Sequence, residues 1–194
     1  MNQTTPRQEL IIALLLLGLM VATRFHHFGS VTHLPDASWA VFIAAGFFLR
    51  RMSLFLVFMG AAVLIDFLAI TQFGVSSFCI SSAYGFLVPA YGVLWLGGRW
   101  LRAHFHKDWS MLMSLAAMVV VSSSVAFVIS SGSFYLLSAT TAETSLMGFA
   151  EQSMTYFPWF LQATAAYVAV IAAIYLAVDA LIRSHHLPSS SGHA

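Results

Sequence analysis

Gln72-Phe-Gly-Val-Ser-Ser-Phe-Cys-Ile-Ser-Ser-Ala-Tyr-Gly85 is the stretch that decides how the chain folds, because it interrupts two long apolar runs. It contains the only cysteine, Cys79, between two Ser-Ser pairs. The apolar run before it carries an aspartate, Asp66, and its end carries a phenol, Tyr84. We interpret the lone thiol, the carboxylate within an apolar run and the nearby phenol as parts of one site.

The composition indicates an integral membrane protein. Of the 194 residues, 60% are hydrophobic and only 8% are charged, whereas a soluble domain carries about 25% charged residues. The net charge of +1 makes nucleic acid an unsuitable partner. We expect one transmembrane domain over residues 1–183 and a disordered C-terminal tail over 184–194.

Six apolar segments predict an all-α bundle of six transmembrane helices. They cover residues 8–25, 36–49, 53–72, 83–98, 110–131 and 156–182. The second segment is about 14 residues long, which gives a helix of about 21 Å, too short to span. We therefore expect the preceding loop, residues 25–35, to dip towards a cavity and to bring His26, His27 and His33 near it.

The basic residues predict the orientation. One side of the predicted topology carries Arg7, Arg50, Arg51, Arg99, Arg102, Lys107 and Arg183, whereas Arg24 alone falls on the other. By the positive-inside rule, both termini are then cytoplasmic. The loops 25–35, 73–82 and 132–155 face outwards, which places Cys79 and His27 on the same side. The long third loop is either a solvated connector or a lid over the site.

Small residues recur on two helices. Ala165, Ala169, Ala173 and Ala177 form a row at four-residue spacing, which we expect to pack within the bundle. Gly18-x-x-x-Ala22 is a weaker version of this pattern in the first helix.

Asp66 is the first candidate for function. It lies about 20 Å along the third helix, where an ionisable group is unfavourable by a few kcal/mol and by default faces the protein interior. The alternative interpretation is a structural hydrogen bond to a neighbouring helix.

Cys79 is either a small buried hydrophobic residue or a metal ligand. A thiolate suits transition metals, but closed metal sites need about four protein ligands. One thiol could instead supply an axial ligand to a metal already held by a macrocycle, which indicates a tetrapyrrole or a corrin. No histidine falls within a predicted helix, which argues against haem held by two histidines and against an intramembrane hydrolase with a serine or cysteine nucleophile. His27 is either a partner of this site or a solvated loop residue.

The chain resembles the BtuM family of cobalamin (vitamin B12) transporters. That family is similar to the substrate-binding (S) components of energy-coupling-factor (ECF) transporters. The resemblance rests on the six-helix plan, His26-His27, Asp66, and Ser-Phe-Cys79 followed by Ala-Tyr84. It implies cobalamin binding and uptake across the cytoplasmic (inner) membrane, with Cys79 as the axial cobalt ligand. It further implies that His27, Asp66 and Tyr84 form the substrate site.

The energy source is left open. S components that dock on an energising module usually show Ala-x-x-x-Ala in the first helix, where this chain has Gly18-x-x-x-Ala22. Solitary action is therefore an alternative to an ECF module as partner. The chain has no glycine-rich phosphate loop, so we do not expect it to hydrolyse ATP itself.

Two other functions are compatible with the sequence. The chain could be a membrane enzyme that processes corrinoids, in which the thiolate labilises the opposite axial group, such as cyanide. It could also be an S-component-like transporter of another vitamin, in which Cys79 only packs.

Overall fold

A computed structural model describes residues 5–24, 34–74, 82–106, 108–137 and 145–186, and these residues contain helices and no β-strand. Each of the six predicted segments overlaps one α-helix. The helices are α1 (Pro6–Arg24), α2 (Ser38–Phe48), α3 (Ser53–Phe73), α4 (Leu87–Ala103), α5 (Trp109–Leu137) and α6 (Leu146–His186), and a short 3₁₀ helix (Ser82–Phe86) precedes α4.

Four of the helices, α1, α3, α5 and α6, are long and apolar enough to cross a membrane. This confirms a helical membrane protein. The prediction of a short second helix is also confirmed, since α2 has 11 residues. α4, with 17 residues, is the other α-helix shorter than the four long ones. Six complete spans and the orientation of the termini stay predictions.

Local sequence explains where α1 begins and where α3 ends. At the start of α1, Thr5 and Gln8 form a capping box: the amide of Thr5 donates to Oε1 of Gln8 (2.8 Å), and the amide of Gln8 donates to Oγ1 of Thr5 (3.3 Å). Pro6 occupies the first helical position, where its missing N–H is tolerated. Gly74 closes α3 with a left-handed φ of 66°, which glycine adopts without strain.

The predicted loop over residues 132–155 is mostly helical, contrary to expectation. α5 continues to Leu137, and α6 begins at Leu146. Contacts between the two ends explain the difference: the ring of Tyr135 packs 5.6 Å from that of Phe149, and its hydroxyl accepts a hydrogen bond from the amide of Ser145 (3.2 Å). Tertiary packing thus overrides the turn-forming Gly and Ser residues of this stretch.

The core is built around α2. Residues 38–46 are all buried, so every face of this helix is covered. Its main partner is α4, where the ring of Phe42 stacks on that of Tyr91 at 4.3 Å. Close approach of the two backbones depends on two glycines, because a Cβ at Gly46 would overlap the Trp95 carbonyl and one at Gly98 the Ile43 carbonyl.

Contacts between the helices define two ends of the bundle. Arg24, the start of α2 and the 3₁₀ helix meet at one end, which we call the Arg24 end. Arg50 and the last turn of α4 meet at the other, which we call the Arg50 end.

The alanine row of α6 does not pack within the bundle as expected. Ala165, Ala169, Ala173 and Ala177 are all exposed. Trp39 stacks on Phe160 at 5.1 Å, and the hydroxyl of Tyr167 donates to the Pro35 carbonyl (2.8 Å). These contacts set the rotation of α6 and turn the alanines outwards.

Candidate functional site

The candidate site is centred on a buried ion pair at the Arg24 end. Arg24 is the last residue of α1 and is 3% exposed. Its Nε donates to Oδ1 of Asp66 (2.8 Å), and its Nη2 donates to Oδ2 of the same carboxylate (2.7 Å). Two parallel bonds of this kind fix both the position and the orientation of the carboxylate.

The third guanidinium nitrogen extends the cluster to two more helices. Nη1 of Arg24 donates to Oη of Tyr91 on α4 (2.7 Å) and to Oγ of Ser38 on α2 (2.8 Å). Oδ2 of Asp36 lies 3.4 Å from the same nitrogen. The guanidinium therefore ties together α1, α2, α3 and α4.

Asp36 also organises the start of α2. Its Oδ1 accepts hydrogen bonds from the amide (2.8 Å) and the hydroxyl (2.6 Å) of Ser38. The same hydroxyl accepts a bond from Arg24, so the helix start and the ion pair share one hydrogen-bond network. Such coupling makes the geometry of the cluster depend on the entry of the chain into α2.

Tyr84, which comes five positions after Cys79 in the sequence, also belongs to this cluster. Its hydroxyl donates to Oδ2 of Asp66 at 2.6 Å. Tyr84 lies on the 3₁₀ helix and is half-buried, whereas Asp66 is 4% exposed. Among the described members of the cluster, Tyr84 is thus more accessible than Asp66 and Arg24.

The chemistry of the cluster is that of an orienting scaffold. Asp66 accepts at least three hydrogen bonds from the described residues, two from Arg24 and one from Tyr84. A charge in an apolar interior is tolerated when it is paired and hydrogen-bonded in this way. The arrangement holds the phenol of Tyr84 in one place, where it can meet a bound molecule.

Two of the four predicted site residues are brought together, and two lie outside the described residues. Asp66 and Tyr84 are in direct contact, as the interpretation of a single site requires. Cys79 and His27 fall in segments 75–81 and 25–33, as do His26 and His33, so their roles stay predictions. The cavity expected beside residues 25–35 also stays a prediction.

Arg24 is the residue that sequence reasoning missed. It was considered only as the exception to the charge asymmetry, yet it is the centre of the cluster. A signal was available: a cation at the end of an apolar helix and an aspartate within another are each unfavourable alone, and pairing them relieves both. The same search would not have found Tyr91 or Ser38, which carry no charge.

Metal ligands are not clustered in the described part of the chain. Across residues 5–24, 34–74, 82–106, 108–137 and 145–186, no group of three His, Cys, Asp or Glu side chains is placed to hold a metal ion.

Comparison with known proteins adds no relative. No protein-family model matches the chain, and no curated protein matches it. The resemblance described above therefore depends on the quoted residues alone.

Proposed function

We propose that the protein binds cobalamin and carries it across the cytoplasmic membrane, with Cys79 as an axial ligand of cobalt. The observation that carries the proposal is the hydrogen bond from Tyr84 to Asp66. These residues flank the Cys79 segment in sequence, and the sequence predicts both as members of one site. Cys79 and Tyr84 are five positions apart, so the cysteine backbone lies within about 18 Å of the Tyr84 backbone.

The donor set suits a cobalt ion that a corrin already holds. Corrin nitrogens fill the four equatorial positions, which leaves two axial ones. One thiolate is sufficient for an axial position, where it displaces water or the base of the nucleotide loop. The soft sulfur ligand suits a transition metal, and binding to the metal favours loss of the thiol proton, which passes to water.

The Arg24 cluster acts by orientation in this proposal. Because Asp66 is already bound by Arg24 and Tyr84, we assign it the role of holding Tyr84 rather than that of accepting the thiol proton. Tyr84 and His27 then face the bound cobalamin beside Cys79. Hydroxyl-rich segments at this end meet the corrin amides.

The proposed topology has six membrane segments with both termini in the cytoplasm and the Arg24 end outside. The distribution of basic residues supports this orientation. α2 and α4 are short for the full bilayer and complete the bundle between longer helices. Gly18 and Ala22 lie on the exposed face of α1, so this surface is available to an energising module, and solitary transport is the alternative.

Absorbance spectroscopy tests the proposal. Purified protein is mixed with cobalamin, and the corrin bands are compared among the wild type, Cys79→Ala and the control Ser77→Ala. We expect a band shift in the wild type and in Ser77→Ala, and none in Cys79→Ala. If wild type and Cys79→Ala both give the spectrum of free cobalamin and neither retains the ligand, the proposal is wrong.

The same preparation distinguishes transport from processing. Cyanocobalamin is added with an external reductant, and the absorbance of the cyanide-bound form is followed. Retention of cyanide favours a transporter that leaves the cobalt ligand opposite Cys79 in place. Its loss in the wild type and not in Cys79→Ala would instead support the corrinoid-processing alternative.

A further inference from the structure

Three arginines from two parts of the chain converge at the Arg50 end. Arg50 follows α2, and Arg99 and Arg102 lie one turn apart on α4. Together with Ala103 they line a depression of about 360 Å³. Residues three apart on a helix share a face, which brings the two α4 side chains to the same opening.

The close packing of α2 on α4 positions these side chains. Gly98, next to Arg99, lets the α4 backbone approach Ile43 of α2. Nη1 of Arg99 then donates to the carbonyl of Arg50 (3.1 Å), and Nη1 of Arg102 donates to that of Phe48 (3.4 Å). Carbonyl groups at a helix C-terminus have no partner within the helix, so the guanidinium groups satisfy them.

These bonds leave most of the donor capacity of the two guanidinium groups unused. Each guanidinium has about five N–H donors, and one nitrogen of each contacts the backbone. Within the described ranges, no carboxylate pairs with Arg99 or Arg102. Like charges held close together repel one another, and an anion placed between them relieves that repulsion.

We propose that this depression binds a phosphoryl anion, supplied by the headgroup of an anionic phospholipid or by free phosphate. Guanidinium groups match phosphate oxygens in pairs of parallel hydrogen bonds. Of the residues that line the depression, Arg50 comes three residues before α3, one of the helices able to cross a membrane, and Arg99 is followed by the half-exposed Trp100. Tryptophan is enriched at the level of lipid headgroups, and basic pockets at helix ends bind such headgroups. The site is independent of the cobalamin proposal.

Lipid retention is the direct test. Protein purified in detergent is incubated with phosphatidylglycerol or phosphatidylcholine, and bound lipid is counted by native mass spectrometry. We expect the wild type to retain phosphatidylglycerol in preference to phosphatidylcholine. Each arginine that is replaced by glutamine should lower the affinity for phosphatidylglycerol about fivefold. The variants are Arg50→Gln and Arg99→Gln/Arg102→Gln. Arg50→Gln leaves in place the backbone carbonyl that Arg99 binds, so it reports on the site if the double variant fails to fold.

Arg51→Gln is the matched control, because it removes one exposed charge beside Arg50 that does not line the depression. A second arm adds inorganic phosphate, with chloride at equal ionic strength as reference, and follows thermal unfolding. Stabilisation by phosphate that Arg50→Gln abolishes, without any lipid preference, assigns the site to free phosphate. The proposal is overturned if the protein prefers neither phosphatidylglycerol over phosphatidylcholine nor phosphate over chloride. It is also overturned, in favour of a diffuse basic surface, if Arg51→Gln lowers the affinity as much as Arg50→Gln does.

Discussion

The guanidinium of Arg24 binds both carboxylate oxygens of Asp66, although the two residues are 42 positions apart in the chain. Their side chains are 3% and 5% exposed. The bond joins the last residue of α1 to the interior of α3, and it also fixes the acceptor of the Tyr84 hydroxyl. Stability and site geometry therefore depend on the same pair.

Breaking this pair from one side should be strongly destabilising. Arg24→Gln or Asp66→Asn removes the bidentate partner of a buried charge, and we expect each to lower the free energy of unfolding by about 3–5 kcal/mol. The double variant should lose less than the sum, because no isolated charge is left between these two residues. Chemical unfolding in detergent micelles, analysed as a double-mutant cycle, measures the coupling.

The pair Asp179–Arg183 is the control for this cycle. It lies on the surface of α6, with side chains 33% and 57% exposed. Exposed pairs of this spacing contribute about 0.3–0.5 kcal/mol. Equal coupling energies in the two cycles would contradict the assignment of Arg24–Asp66 as a buried, energetically important pair.

Tyr84 and Tyr91 should separate ligand binding from stability. Both hydroxyls belong to the cluster, but Tyr84 is half-buried and Tyr91 is 3% exposed. We expect Tyr84→Phe to weaken cobalamin binding about tenfold, because the proposed contact between the phenol and the ligand is lost, and to have a smaller effect on unfolding.

Tyr91→Phe should do the reverse, because it removes an acceptor of the buried Arg24 and leaves the stacking on Phe42 intact. Ligand titration and thermal unfolding of both variants provide the comparison. A Tyr84→Phe protein that binds cobalamin as the wild type does would exclude a contact role for this phenol.

The glycines between α2 and α4 should not tolerate a methyl group. In Gly46→Ala the new Cβ would overlap the carbonyl of Trp95, and the two helices would have to separate. We expect a loss of about 3 kcal/mol in the free energy of unfolding. Gly60→Ala is the matched control: it lies within α3 with nothing within 4 Å of its Cβ, and alanine favours a helix over glycine by about 1 kcal/mol. Similar losses in both variants would show that the close approach is not limiting.

The alanine row of α6 should accept larger side chains. Ala169 and Ala173 are exposed, so we expect Ala169→Leu/Ala173→Leu to unfold at nearly the wild-type temperature. Val168 is 8% exposed, and Val168→Ala should be destabilising by about 2 kcal/mol because it removes two buried carbon atoms. A large loss of stability in the leucine variant would indicate that the row packs against another helix.

The sequence predicted the helices well where charges or glycine mark their ends. α3 was expected over residues 53–72 and is observed at Ser53–Phe73, because Arg50-Arg51 and Gly74 limit the apolar run. The ends of α5 and α6 were missed for a physical reason. Their extension depends on contacts of Tyr135 with Ser145 and Phe149, which local composition does not encode.

The candidate site was predictable to the extent that it is charged. Asp66 stands out within an apolar run, and Tyr84 was found through its nearness to Cys79 in sequence. Arg24 needed the additional step of pairing two unfavourable charges. The rotation of α6 could not be deduced, because the mostly apolar middle of this helix offers several faces of similar composition.

The burial of α2 on every face has a consequence for how the protein is made. A helix of 11 residues is too short to enter the bilayer as an independent span during synthesis. Its main packing partner, α4, leaves the ribosome after it, together with the glycine that lets the two backbones meet. We therefore expect α2 to remain at the membrane surface until α4 has been synthesised. Nascent chains that end before Ala103 should then lack a stable core and be degraded by membrane proteases.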